Sequence, residues 1–153
     1  MEYNLIVIDY NDPNFNNVCK ILEQNIVLEN LSKNGGTLNY TGLTYHSDIL
    51  ILATLGSEIV GFNSIVYTNN NGLYIYQIAV KKAHQQQGVG MLMMNKAMEI
   101  AQENNMTVSA NVMDYNTNSK KMFERLGFSK LGYSEENNGY YEFKQDKKTI
   151  GSK

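Results

Sequence analysis

Hydrophobic positions along the chain change their period several times, and each change marks an element. Leu5-Ile6-Val7-Ile8 is a short β-branched run closed by Asp9 and the Asn11-Asp12-Pro13 turn, and it predicts a first strand. Asp12 ahead of Pro13 is a helix-start signal. Phe15, Val18, Leu22 and Ile26 then recur at helical spacing up to Leu31, with Gly35-Gly36 as the stop. The stretch from Thr37 to Ser47 is rich in Tyr, Thr and Gly and fits either a short helix or a loop. Asp48 to Leu55 is a nearly continuous apolar run of strand length, turned at Gly56-Ser57-Glu58. Ile59 to Thr68 and Leu73 to Val80 are two further strands around the hairpin signal Asn69-Asn70-Asn71-Gly72. Short connections predict that these three strands form an antiparallel meander. After the loop Lys81–Gln87, one helix face is marked by Met94, Ala97, Met98 and Ala101, running to about Asn104. A strand from Thr107 to Val112 follows, then a helix from Asn116 to Leu126 closed by Gly127. Phe128–Tyr133 and Tyr140–Phe143 are two last strands around a Glu135–Gly139 turn. The order is β-α-(loop)-β-β-β-α-β-α-β-β. It predicts one α/β domain over residues 1–146 and a polar tail over 147–153.

Composition narrows the function classes. At 153 residues the chain is of single-domain length, and such a chain buries about 70% of its unfolded surface without disulfides or metals. Thirteen basic against fifteen acidic residues give a net charge of −2, which argues against a nucleic-acid partner. The lone Cys19 cannot close an internal disulfide and reads as a small buried apolar residue. His46 and His84 have no metal-ligand spacing, so no metal is expected. No apolar run approaches the roughly 20 residues of a membrane span, and MEYNLIVIDY lacks the pattern of a signal peptide.

The chemistry-bearing segment is Ile78-Ala79-Val80 followed by Lys81-Lys82-Ala83-His84-Gln85-Gln86-Gln87-Gly88-Val89-Gly90-Met91. A strand runs into a glycine-containing loop that opens a helix. The first backbone N–H groups of such a helix have no internal partner, and the helix dipole favours an anion there. Gly88 and Gly90 lack Cβ atoms, so a phosphate can approach the main chain. A P-loop would need Gly-Lys-Ser/Thr, but Gly90 is followed by Met91-Leu92. A dinucleotide fingerprint would need a third glycine at position 93, which is Met. A plain tight turn between strand and helix is the remaining bland alternative.

Gln85-x-x-Gly88-x-Gly90, after Ile78-Ala79-Val80 and before an amphipathic helix, resembles the acetyl-CoA loop of the Gcn5-related N-acetyltransferase (GNAT) superfamily. The block Asn116-Thr117-Asn118-Ser119-Lys120-Lys121-Met122-Phe123-Glu124-Arg125-Leu126-Gly127-Phe128 is similar to that family's Asn-x-x-Ala…Tyr-Glu-x-Leu-Gly-Phe segment. The element order from Leu5 to about Lys144 matches as well. The resemblance implies a mixed sheet of about six to seven strands, splayed at its central strands and flanked by three to four helices. It implies that acetyl-CoA lies with its pantetheine arm on the main chain of Ile78, Ala79 and Val80. The diphosphate would rest on the amides of Gln86, Gln87, Gly88, Val89, Gly90 and Met91, and Gln85 would brace the loop through its amide. Asn116, Ser119 and Phe123 would contact the cofactor, and Lys120 or Lys121 its 3′-phosphate. A cytoplasmic enzyme able to pair as a homodimer is implied too.

The activity so implied is attack of a primary amine on the thioester, with a main-chain N–H near Val80 stabilising the oxyanion. The amine belongs to a small molecule or to a peptide or protein. An alkylammonium group with a pKa near 10.4 must first lose its proton. Here the chain departs from the family pattern. The usual Tyr acid position is Phe123, which cannot donate a proton, and a frequent base position is Asn111, which cannot accept one. Tyr74, Tyr115 and Asp114 remain as candidates. A non-catalytic acyl-CoA-binding module is the alternative. On the acceptor side, Tyr40, Tyr45, Tyr133, Tyr140 and Tyr141, with Glu135 and Glu136, suit a cationic amine. His84 is expected to serve in packing.

Overall fold

A computed structural model of the chain describes residues 2–27, 29, 42–113, 116–134 and 140–145. Strand β1 (Asn4–Asp9) leads into α1 (Phe15–Leu22), whose start follows the Asp12-Pro13 signal. The Asp12 carboxylate accepts from the Asn14 N–H at 2.8 Å, and its carbonyl accepts from Phe15 N–H at 3.0 Å. The helix does not stay α-helical to Leu31 as its periodicity predicts. It passes into a π-helical turn over Glu23–Val27, in which the adjacent Ile26 and Val27 are both buried. The expected Gly35-Gly36 stop lies outside the described residues. Of the two readings open for Thr37–Ser47, a short helix α2 (Leu43–His46) is present, entered through Gly42 at φ 76°.

Next come β2 (Ile49–Leu55), β3 (Glu58–Thr68) and β4 (Gly72–Val80), with Asn71 at φ 59° in the hairpin turn as its sequence predicts. After a 3₁₀ turn at Lys82–His84 follow α3 (Val89–Glu103), β5 (Thr107–Met113), α4 (Thr117–Arg125), β6 (Ser129–Ser134) and β7 (Tyr140–Lys144). The strands form one seven-stranded mixed sheet in the order β1-β2-β3-β4-β5-β7-β6, with β4 and β5 parallel. Strand count and mixed character are those expected. The placement of β7 between β5 and β6 is decided by pairing alone, from Ser109↔Lys144 to Met113↔Tyr140 on one side.

The chain divides into two compact units, one of Met1–Val66 and Tyr76–Ala97, the other of Tyr67–Ile75 and Met98–Lys153. In the first, Phe15, Cys19, Leu22, Ile26, Val27 and Leu43 pack with Leu50, Leu52 and Phe62. Each such side chain contributes about 1.5–3 kcal/mol by leaving water. Cys19 is fully buried, as expected of a small apolar residue. Tyr76 and Ala79 both pack against this cluster although they are three positions apart on β4. Strict alternation would put them on opposite faces, so the end of β4 departs from a regular two-residue period. A Cβ on Gly61 would come within 3.2 Å of the Ala79 carbonyl and the Met93 methyl, so a side chain there would require β3 or its neighbours to give by a few tenths of an ångström. In the second unit Phe123 sits between Phe128 and Phe143, at ring-centroid distances of 5.2 and 5.6 Å.

Candidate active site

The loop between β4 and α3 is ordered by its own polar contacts up to Gln85. Lys81 N–H donates to the Val60 carbonyl at 2.8 Å, and His84 N–H to the Lys81 carbonyl at 2.8 Å. The Gln85 side-chain Nε2 donates back to the Val80 carbonyl at 3.0 Å, which is the brace expected of that residue. Beyond it the main chain turns twice into the left-handed region, at Gln86 (φ 63°) and Gly88 (φ 83°). Glycine carries no steric penalty there, whereas Gln86 does. Leu92 N–H donates to the Gly88 carbonyl at 3.0 Å, the first hydrogen bond of α3. The amides of Val89, Gly90 and Met91 therefore precede the helical ladder. Among the described residues, no acceptor pairs with the amides from Gln86 to Met91. A Cβ built on Gly88 meets nothing within 4 Å, so the surface before the helix is open. Unpaired donors, an open approach and the positive end of a helix of 15 residues are features that favour an anion.

The strand that enters this loop offers further main-chain groups. The parallel ladder of β4 with β5 runs from Gly72↔Thr107 to Ile75↔Ala110 and stops, while β4 continues to Val80. Ile78, Ala79 and Val80 thus lie beyond the end of that ladder, half-buried. A ladder that ends before its strand does is what the splayed-strand expectation requires.

The remaining expected residues are placed as follows. Asn116 caps α4, its Oδ1 accepting from the Ser119 N–H at 3.1 Å, so these two are joined to each other by the cap. Phe123 is 1% exposed, held in the stack of three phenylalanines. Tyr74 is half-buried opposite Ser109 in the β4–β5 ladder, and Asn111 is exposed opposite Glu142 in the β5–β7 ladder. Lys120 Nζ lies 5.3 Å from the Tyr141 ring centroid and Lys130 Nζ 4.6 Å, so the ring expected to meet a cationic acceptor carries two ammonium groups of its own. Tyr40, Asp114, Tyr115, Glu135 and Glu136 lie outside the described residues, as do the side chains of Tyr45 and Tyr140. Among the described residues no group of three or more His, Cys, Asp or Glu could hold a metal ion, and no helix is long and apolar enough to cross a membrane.

The family profile described as Acetyltransferase (GNAT) family matches residues 21–128, a span that includes both the glycine loop and the Asn116–Phe128 block. The chain belongs to the GNAT acetyltransferase family. Members of this family are N-acetyltransferases that use acetyl-CoA. Among solved structures, the chain is similar to a Bacillus anthracis str. Ames protein assigned as a streptothricin acetyltransferase and crystallised with acetyl coenzyme A. That match has 25% identity and TM-score 0.61, covers 65% of this chain, and spans 62% of the length of the other. Escherichia coli ElaA shares the GNAT fold at TM-score 0.73 and 15% identity, covering 95% of this chain and 100% of its own. An Elizabethkingia anophelis GNAT acetyltransferase with acetyl-CoA bound matches at TM-score 0.68 and 16% identity, covering 94% of this chain and 97% of its own. No curated protein matches the chain in sequence.

Two residues of the GNAT chain went unread in the sequence. Tyr76, on β4, stands with its ring 5.2 Å from that of His46. Burial, and then the charge of Glu23, pushes its phenol above the ordinary value of 10.0. Tyr76 therefore keeps its proton through the neutral range and can donate a hydrogen bond there, but cannot act as a base. The three groups come from β4, α2 and the π-helical turn, and no local pattern links them. The second is Tyr3, whose hydroxyl meets His84 and Gln87 more than eighty positions away. His84, expected to serve in packing, makes polar contacts as well: its ring lies edge-on to Tyr3, and its Nε2 is 3.8 Å from Glu58.

Proposed function

We propose that the chain transfers the acetyl group of acetyl-CoA to a primary amine, of a small molecule or of a peptide or protein. The run of unpaired amides from Gln86 to Met91, before an open Gly88, is the observation that carries this reading. Those amides hold the diphosphate, and α3 directs its positive end toward it. The main chain of Ile78, Ala79 and Val80 binds the pantetheine arm in the manner of an added strand. Gln85 fixes the Val80 carbonyl and so keeps the strand end and the loop in one geometry. Acetyl-CoA supplies the activated acyl group as a thioester. A main-chain N–H near Val80 stabilises the negative charge that develops on the acyl oxygen. Phe123 brings no proton to the reaction, since a phenyl ring has none to give. The incoming amine loses its proton to water or to a group outside the set Phe123 and Asn111; as its nitrogen bonds to the acyl carbon the carbon–sulfur bond breaks, and CoA leaves as a thiolate that takes up a proton from water. The reaction takes place in the cytoplasm.

Calorimetric titration with acetyl-CoA tests the cradle, and absence of binding at high micromolar ligand rejects it. Release of free CoA thiol, followed with a panel of polyamines, amino acids and peptides, tests the transfer. Acceptor-dependent thiol identifies the amine class. Tight binding with no such thiol identifies a non-catalytic acyl-CoA-binding module instead.

A further inference from the structure

The amides of the cradle are unpaired, so something other than main-chain hydrogen bonding must hold that stretch in shape. Three side chains reach it from distant parts of the first unit. Glu29 Oε1 accepts from the Lys82 N–H at the start of the 3₁₀ turn. Glu58, the first residue of β3, lies 3.7 Å from Lys81 Nζ and 3.8 Å from His84 Nε2. Tyr3, just ahead of β1, donates its hydroxyl hydrogen to Gln87 Oε1 at 2.9 Å, and its hydroxyl oxygen is 3.1 Å from His84 Nδ1.

A phenol has one hydrogen, and here Gln87 receives it. The contact with His84 then requires Nδ1–H as the donor and the Tyr3 oxygen as acceptor. The chain of contacts runs from Glu58 through His84 and Tyr3 to Gln87, next to Gly88. Between its two loop anchors, His84 and Gln87, lies Gln86, held at φ 63° where a non-glycine residue is strained. The ties therefore flank the strained residue and end where the unpaired amides begin. We propose that Tyr3 is a positioning residue for the acetyl-CoA loop: through Gln87 and His84 it holds the cradle in its binding shape before the ligand arrives. A loop ordered in advance does not lose that freedom on binding, so the ligand binds more tightly. The proposal rests on the acetyl-CoA reading given above.

Tyr3→Phe keeps the ring against His84 and removes the hydroxyl. In the ligand-free protein it should speed hydrogen exchange at Gln86–Gly90 while leaving exchange in β2 and β3 unchanged. Affinity for CoA should fall roughly three- to tenfold, the size of one lost hydrogen bond, with KM for acetyl-CoA raised in proportion and kcat kept. His84→Asn places an amide donor where Nδ1 stands and should retain wild-type behaviour; His84→Leu should behave as Tyr3→Phe. Wild-type exchange and affinity in Tyr3→Phe would overturn the proposal, as would equal loss in His84→Asn and His84→Leu. Should the wild-type protein bind no CoA, the acetyl-CoA reading falls, and the exchange comparison in the ligand-free protein still decides whether Tyr3 holds the loop.

Discussion

Two helices of this chain begin in opposite ways. α4 starts with its own cap: the Asn116 side chain accepts from the Ser119 N–H, so one donor of the first turn is satisfied from within. α3 starts after Gly88, and no acceptor among the described residues meets its leading amides. Both starts follow a strand of the same sheet, so the contrast is not one of location in the fold order. It lies in which residue stands at the cap. An Asn there completes a helix, whereas a left-handed glycine leaves donors available to an anion. The loop before α3 is instead held by side chains that act from outside the helix, at Gln85, His84 and Gln87. Order without internal satisfaction is what separates a binding site from a capped helix end.

The contrast is broken most severely by Gly90→Glu. A carboxylate in the first turn favours the helix by about 0.3–1 kcal/mol but fills the anion position with like charge. Affinity for acetyl-CoA should fall by about a hundredfold or more, about 2.7 kcal/mol, with the unfolding midpoint kept. Wild-type affinity measured by calorimetry would refute the cradle. Asn116→Ala inverts the pattern: α4 loses its cap, and urea titration should show a loss of about 1 kcal/mol of stability. A variant as stable as wild type would mean that the cap is not what starts α4. Gln85→Leu removes the brace to Val80 and should weaken CoA binding by a factor of about three to ten, with a smaller loss of stability. An unchanged dissociation constant would leave the brace without a role in binding.

The smallest effect concerns Tyr76. Its phenol is pushed up by burial and by Glu23, so the folded protein holds that proton more tightly than the unfolded chain. The corresponding stability is complete below the ordinary tyrosine range and is lost as pH rises from about 10 through the folded value. Tyr76→Phe should therefore lose less stability than wild type between about pH 9 and 11, read from denaturant midpoints. Parallel losses in the two proteins would assign the alkaline sensitivity to other groups.

Much of the fold was legible because local signals agreed with it. β2 reads as a continuous apolar run, and its residues from Ile49 to Thr54 are buried. The Asn69–Gly72 turn and the Gly127 helix stop fall where their sequence puts them, with Asn71 at φ 59° and Gly127 at φ 83°. The π-helical turn at Glu23 was not legible, because the apolar spacing around it is that of an ordinary helix and its buried residues pack on strands far away in sequence. The candidate site divides in the same manner. Gln85, Gly88 and Gly90 could be read as a loop, since the spacing of a turn and a helix start is written in consecutive residues. Tyr3 and Tyr76 could not.

The sequence by itself determined the order of elements, the position of the glycine loop and the residues whose amides open α3, because backbone geometry follows from neighbours a few positions apart. Tertiary structure decided that β7 enters between β5 and β6, that the β4–β5 ladder stops at Ile75, and that a tyrosine ahead of β1 meets a glutamine beside Gly88. These depend on hydrogen bonds and packing between segments tens of residues apart, whose pairing no local period records.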